Sequence, residues 1–150
     1  MIELLEVKPH LHSITDAYFL EDINVVSISN ELSQDENDGD YTTIDFGEQS
    51  IITQNSIGEW ADFECIGPTI ITNATCKILN NVRIQTGTPI FNIKNSDNVI
   101  SVCKCGLGFE VWLQDEREVN RIIKNDVIEF MFDNNELVGI KVERQIEAKG

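Results

Sequence analysis

The sequence predicts a mainly β fold of the α+β class. The expected form is a single antiparallel sheet, meander or barrel-like, with one short helix near residues 115–124 and a C-terminal hairpin over residues 127–143. Three observations carry this reading. Short runs rich in β-branched and aromatic residues alternate with Asn-, Asp- and Gly-bearing turns along most of the chain. Ile128, Phe130 and Phe132, then Val138, Ile140 and Val142, repeat with the period of two that marks a half-buried strand pair. Val119, Ile122 and Ile123 are spaced i, i+3, i+4, which is a helical stripe. At 150 residues the chain suits one domain, residues 1–150, large enough to bury a core without disulfides or metal.

Taken in order, Ile2 to Lys8 has β character and stops before Pro9, and a helix is conceivable over Ser13 to Glu21, where Ser13 and Asp16 offer a weak cap. Val25 to Ser29 is a strand. Residues 31–40 form an acidic loop, because Ser33 to Asp40 contains nothing apolar to bury. Tyr41 to Phe46 and Ile51 to Thr53 are the next strands, and Trp60, Phe63 and Ile66 supply bulk before Gly67-Pro68. Ile78 to Ile84 reads as a hairpin turning at Asn80-Asn81, since Asn tolerates positive φ. Ile90 to Lys94 and Val99 to Cys103 continue the pattern around Asn95 to Asn98. Asp115 and Glu118 have capping-box spacing ahead of the apolar stripe, and Asn125-Asp126 ends that helix. Ile128 to Phe132 and Val138 to Val142 then pair across Asp133 to Glu136. No repeat of fixed period runs through Thr69 to Val102.

Charge is the unusual property. The net is −15, from 26 acids and 11 bases. From Met1 to Ile66 there are 15 acids and one base, Lys8; Gly67 to Gly108 carries a net of +3, and the remainder −4. Such asymmetry concerns partners more than fold. The first residues lack the basic and apolar regions of a secretory signal, and no apolar run is long enough for a membrane helix. The expected address is cytoplasmic, with four reduced cysteines and no membrane association. The Asn73-Ala74-Thr75 sequon carries little weight at that address.

Chemistry-bearing motifs are sparse. Cys65, Cys76, Cys103 and Cys105 have spacings of ten and one between pair members, unlike zinc knuckles. His10 and His12 share a face if extended, and Asp16 could complete a two-His-one-carboxylate set, but no supporting shell is visible around them. Aligning Gly39 with the EF-hand glycine places Gln34, Glu36, Asp38 and Asp45 at ligand positions, with both end ligands wrong. Gly106-Leu107-Gly108 lacks the rest of a phosphate loop, and no G-x-S-x-G is present. No catalytic residue, metal ligand or cofactor is therefore assigned. Lys77, Arg83, Lys94 and Lys104 are too few for direct nucleic-acid binding and suit ion pairs within the domain.

The sequence thus favours an acidic binding or inhibitor protein that occupies a basic protein surface. Immunity proteins against nuclease toxins and phage-type nucleic-acid-mimicking inhibitors share that logic. The contact residues expected are Asp35, Glu36, Asp38, Asp40, Tyr41, Asp45, Glu59 and Trp60, with Tyr41 and Trp60 as anchors. The alternatives are a small β-barrel enzyme or ligand-binding domain, its acidity serving solubility only, and a structural or oligomerisation domain.

Overall fold

The computed structural model describes residues 2–34, 41–47, 49–94 and 99–147. Among the described residues fourteen strands are formed: β1 (Ile2–Lys8), β2 (Ile14–Leu20), β3 (Val25–Asn30), β4 (Thr42–Gly47), β5 (Ser50–Gln54), β6 (Trp60–Ile66), β7 (Thr69–Ile70), β8 (Lys77–Thr86), β9 (Thr88–Ile93), β10 (Ser101–Cys105), β11 (Gly108–Trp112), β12 (Glu118–Asn125), β13 (Ile128–Asp133) and β14 (Glu136–Val142). One 3-10 turn, Glu31–Gln34, follows β3 and occupies the start of the expected acidic loop. Asp35, Glu36, Asp38, Asp40 and the Asn95 to Asn98 turn lie outside the described residues.

The mainly β class stands, and the single antiparallel sheet does not. The strands divide into two sheets. The larger has the order β7-β10-β11-β14-β13-β12-β8, with β1 joined to β14 and β9. It is mixed, because β10–β7 and β12–β8 pair in parallel. The smaller, β2-β3-β6-β5-β4, is antiparallel throughout. Among the described residues neither path closes into a barrel. Residues 9–13 carry the chain from β1 in one sheet to β2 in the other, and the bridges Ala17↔Ile146 and Glu59↔Ile90 tie the two.

The inner faces of the sheets share one core. Ala17, Phe19, Val26, Ile28, Ile52, Phe63 and Cys65 from the smaller sheet meet Phe91, Phe109, Val111, Ile123, Phe130 and Phe132 from the larger. Aromatic rings cross the gap, with Trp60 edge-on to Phe130 at 5.4 Å between centroids and Phe19 to Phe109 at 6.3 Å. A second cluster of Trp112, Val119, Ile122, Met131 and Val138 covers the other face of the larger sheet.

That second cluster explains the expected helix at 115–124, which is instead the turn before β12 and β12 itself. A strand buried on both faces reads as a near-continuous apolar run, and Ile122 and Ile123 enter opposite clusters. Glu116, in the supposed cap, has φ +55°. The segment Ser13 to Glu21 is also strand, as β2, because Ile14, Ala17 and Phe19 find a core to enter. The expected hairpin at Ile78 to Ile84 is the single strand β8. Its pairing with β12 jumps from Ile78↔Val119 to Arg83↔Arg121, so Asn80-Asn81 falls in a bulge instead of a turn. The C-terminal hairpin forms as read, with Asn134 at φ +57° in its turn. Its register shifts between Met131 and Phe132, placing Leu137 in the inner core and Val138 in the outer cluster. No described helix is long and apolar enough to cross a membrane.

Candidate functional site

The strands of the smaller sheet all come from the acidic stretch between Ile14 and Ile66. From Ile14 to Ile66 there are 13 acids and no Lys or Arg. Cross-strand pairs place side chains on the same side of a sheet, so the register shows which acids share the face turned away from the core. One row across the sheet is Asp16, Ser29, Asp62, Thr53 and Thr43; the next is Tyr18, Ser27, Glu64, Ile51 and Asp45. The Ser29 hydroxyl donates to Asp62 Oδ1 at 2.7 Å. Burial raises the Asp62 carboxyl above its ordinary value and the Asp16 charge adds to this, against the lowering pull of the Ser29 hydroxyl. Burial and the Asp62 charge raise Glu64 in the same sense. An open depression of about 360 Å³, lined by Asp16, Tyr18, Leu20 and Glu147, flanks the β2 edge.

The expected contact residues are distributed unevenly around this face. Asp45 is exposed on it, and Tyr41 is half-buried just before β4, its hydroxyl donating to the Leu32 carbonyl at 2.7 Å. Trp60 is 1 % exposed within the inter-sheet core, and Glu59 is 5 % exposed. Neither offers surface to a partner. Asp16, Tyr18, Asp62 and Glu64 were not singled out as contacts, although the alternation Trp60 to Ile66 carried the signal that Asp62 and Glu64 oppose Phe63 and Cys65. Of the middle-segment bases, Lys104 is ion-paired with Glu21.

A second constellation lies at the junction of the sheets. His10 Nε2 and His12 Nε2 each stand 2.6 Å from the same oxygen, Glu59 Oε2. The imidazoles are edge-to-face, 4.8 Å between centroids. Asn55 Nδ2 donates to Glu59 Oε1 at 3.1 Å, and His12 Nδ1 faces Glu31 Oε1 at 3.1 Å. Asp16 is not part of this group; it sits on the outer row with Asp62.

Local structure holds each member. The crossing segment is pinned by Thr88 Oγ1 donating to the His10 carbonyl at 2.6 Å and by the His12 amide donating to Asn125 Oδ1 at 3.3 Å. Buried Asn125 also donates to Thr88 Oγ1 at 3.2 Å. Glu59 is set by the β5–β6 turn, where Asn55 Oδ1 accepts from the Glu59 amide at 2.9 Å. Gly58 in that turn has φ +93°, and a Cβ there would stand 2.8 Å from the Phe91 carbonyl oxygen. Only glycine lets the turn dock this closely on β9, where the Phe91 amide donates to the Gly58 carbonyl at 2.9 Å. Burial by itself would raise the Glu59 carboxyl, but hydrogen bonds with His12, His10 and Asn55 and attraction to His12 lower it to about 2.

The cysteines lie apart from this group and bear no disulfide. Cys65 is in the inter-sheet core, and burial raises its thiol to about 11. Cys103 and Cys105 are on β10, and Cys76 Sγ donates to the Gln114 carbonyl. Burial pushes all three above the ordinary thiol value. A thiol held protonated is a poor nucleophile. No protein-family model matches this chain, and a search of curated proteins finds no match.

Proposed function

We propose that the protein is an acidic, cytoplasmic binding protein that occupies a basic protein surface through the outer face of its smaller sheet. Its mode of action is that of an immunity protein against a nuclease toxin or a phage-type nucleic-acid-mimicking inhibitor. The observation that carries this reading is the alignment of Asp16, Asp62, Glu64 and Asp45 across one face of a sheet built from a segment without Lys or Arg. Neighbouring carboxylates with no interleaved cation serve solubility poorly, since mixed signs would do better. They suit a cationic partner, whose charge offsets the repulsion that, after burial, contributes to raising Asp62 and Glu64. Tyr18, half-buried beside Ser27 in the second row, is the aromatic on this face best placed to anchor. The acids at Asp35, Glu36, Asp38 and Asp40 belong to the same segment and extend its negative charge.

The test begins with capture of the partner from native extract and continues with association kinetics at two salt concentrations. A partner with a basic face is expected. Replacing Asp16, Asp62, Glu64 and Asp45 by their amides should slow association by about tenfold at low salt and flatten its salt dependence. An acidic or neutral partner, or association indifferent to salt, overturns the reading.

A further inference from the structure

We propose that His10, His12 and Glu59 form a site for a first-row divalent metal ion of the zinc type, which clips the inter-sheet crossing to the β5–β6 turn. Among the described residues, the three ligand atoms lie within 4.8 Å of one another. Two imidazoles and one carboxylate are the donor set of zinc and its neighbours, whereas calcium and magnesium take oxygen ligands.

The two Nε2 atoms do not merely lie near Glu59; they converge on one of its oxygens, while Asn55 occupies the other. Ligand bonds of about 2.0–2.2 Å require donor atoms roughly 3–3.5 Å apart. The two 2.6 Å contacts therefore need to open by less than about 1 Å, the widest pair of ligand atoms, up to 4.8 Å apart, needs to close by about 1.5 Å, and the His10 side chain, 46 % exposed, has room to move. No supporting shell for the histidines is visible near them in the sequence. Folding supplies one from distant segments. Glu31 Oε1 is placed to accept from His12 Nδ1–H, which leaves the Nε2 lone pair for the metal, the carboxylate–histidine–metal arrangement. Thr88 and Asn125 hold the backbone on either side of Leu11. The exposed side of His10 leaves a further coordination position to water.

The ligands come from residues 9–13 and from a turn that docks on β9, so the ion joins the crossing segment to both sheets. An ion bound only by the folded chain stabilises it by mass action.

Chelator-treated full-length protein would be titrated with Zn2+ by calorimetry, and its thermal midpoint followed. Expected are one equivalent, a dissociation constant of about 10 µM or below, and a rising midpoint. Co2+ should give visible d–d absorption without a thiolate charge-transfer band, which separates this site from the four cysteines in unaltered protein. His10→Ala, chosen because the side chain is half-exposed, and Glu59→Gln should each weaken Zn2+ binding at least about tenfold. Absence of binding at 100 µM Zn2+ (about ten times the expected dissociation constant), a Co2+ thiolate band, or unchanged affinity in folded His10→Ala overturns the proposal.

Discussion

Asp62 and Glu64 occupy successive outward positions of β6, where burial and neighbouring charge raise both carboxyls. The folded chain then holds those protons more tightly than the unfolded chain does. At neutral pH the ionised carboxylates oppose folding, and the opposition fades as pH falls through their raised values. Asp62→Asn and Glu64→Gln should therefore match or exceed the parent in urea melts at pH 7, with any gain shrinking by pH 4.5. A clear loss at pH 7 in Asp62→Asn would mean that the Ser29–Asp62 hydrogen bond outweighs the cost of burial and repulsion. Proteins retain destabilising groups where function uses them, which ties this measurement to the proposed anionic contact. The alternation of β6 was legible in the sequence, so the outward acids could be found. The partner of the histidines could not. Asp16 is near them in sequence but faces outward, whereas Glu59 arrives from 49 residues beyond His10 by way of a hairpin docked on β9.

Among the elements, the C-terminal hairpin was the most legible, because its turn residues and two-residue period agree with its tertiary setting. Phe130 tests that packing. It is buried on β13 and meets Trp60 and Phe91 edge-on at 5.4 and 5.6 Å. Phe130→Ala should cost about 3–5 kcal/mol in denaturant melts, and a change below about 1 kcal/mol would show that its ring is not in this core. β12 was misread because three apolar residues at i, i+3, i+4 fit a helical stripe as well as a strand with both faces covered. Which applies depends on whether the outer face of the sheet is covered, and Ile71, Ala74 and Cys76, from the segment between β7 and β8, pack against the cluster there. β8 was misread for the opposite reason: Asn80-Asn81 has a real turn preference, and the chain spends it on a bulge opposite β12.

For the whole molecule, the charge asymmetry was read as a matter of partners, yet the strands of residues 14–66, a stretch without Lys or Arg, form a sheet of their own. Its separation from the larger sheet raises the question of whether the chain unfolds as one unit. The shared core argues that it does: Phe63, Cys65 and Ile28 of the smaller sheet are packed in the same cluster as Phe91, Phe109 and Phe130 of the larger. Exposing one sheet would strip the apolar cover from the other, and neither inner face could remain dry alone. The chain's two tryptophans report on this directly. Trp60 lies between the sheets, while Trp112 lies in the cluster on the far side of the larger sheet. Single-tryptophan proteins made by Trp112→Phe and Trp60→Phe should each show one urea transition by fluorescence. In each, that midpoint should coincide with its own midpoint by far-ultraviolet circular dichroism, as a cooperative single domain requires. If the Trp60 signal is lost at lower urea than the strand signal of the same protein, the smaller sheet is an independent unit and the single-domain reading fails.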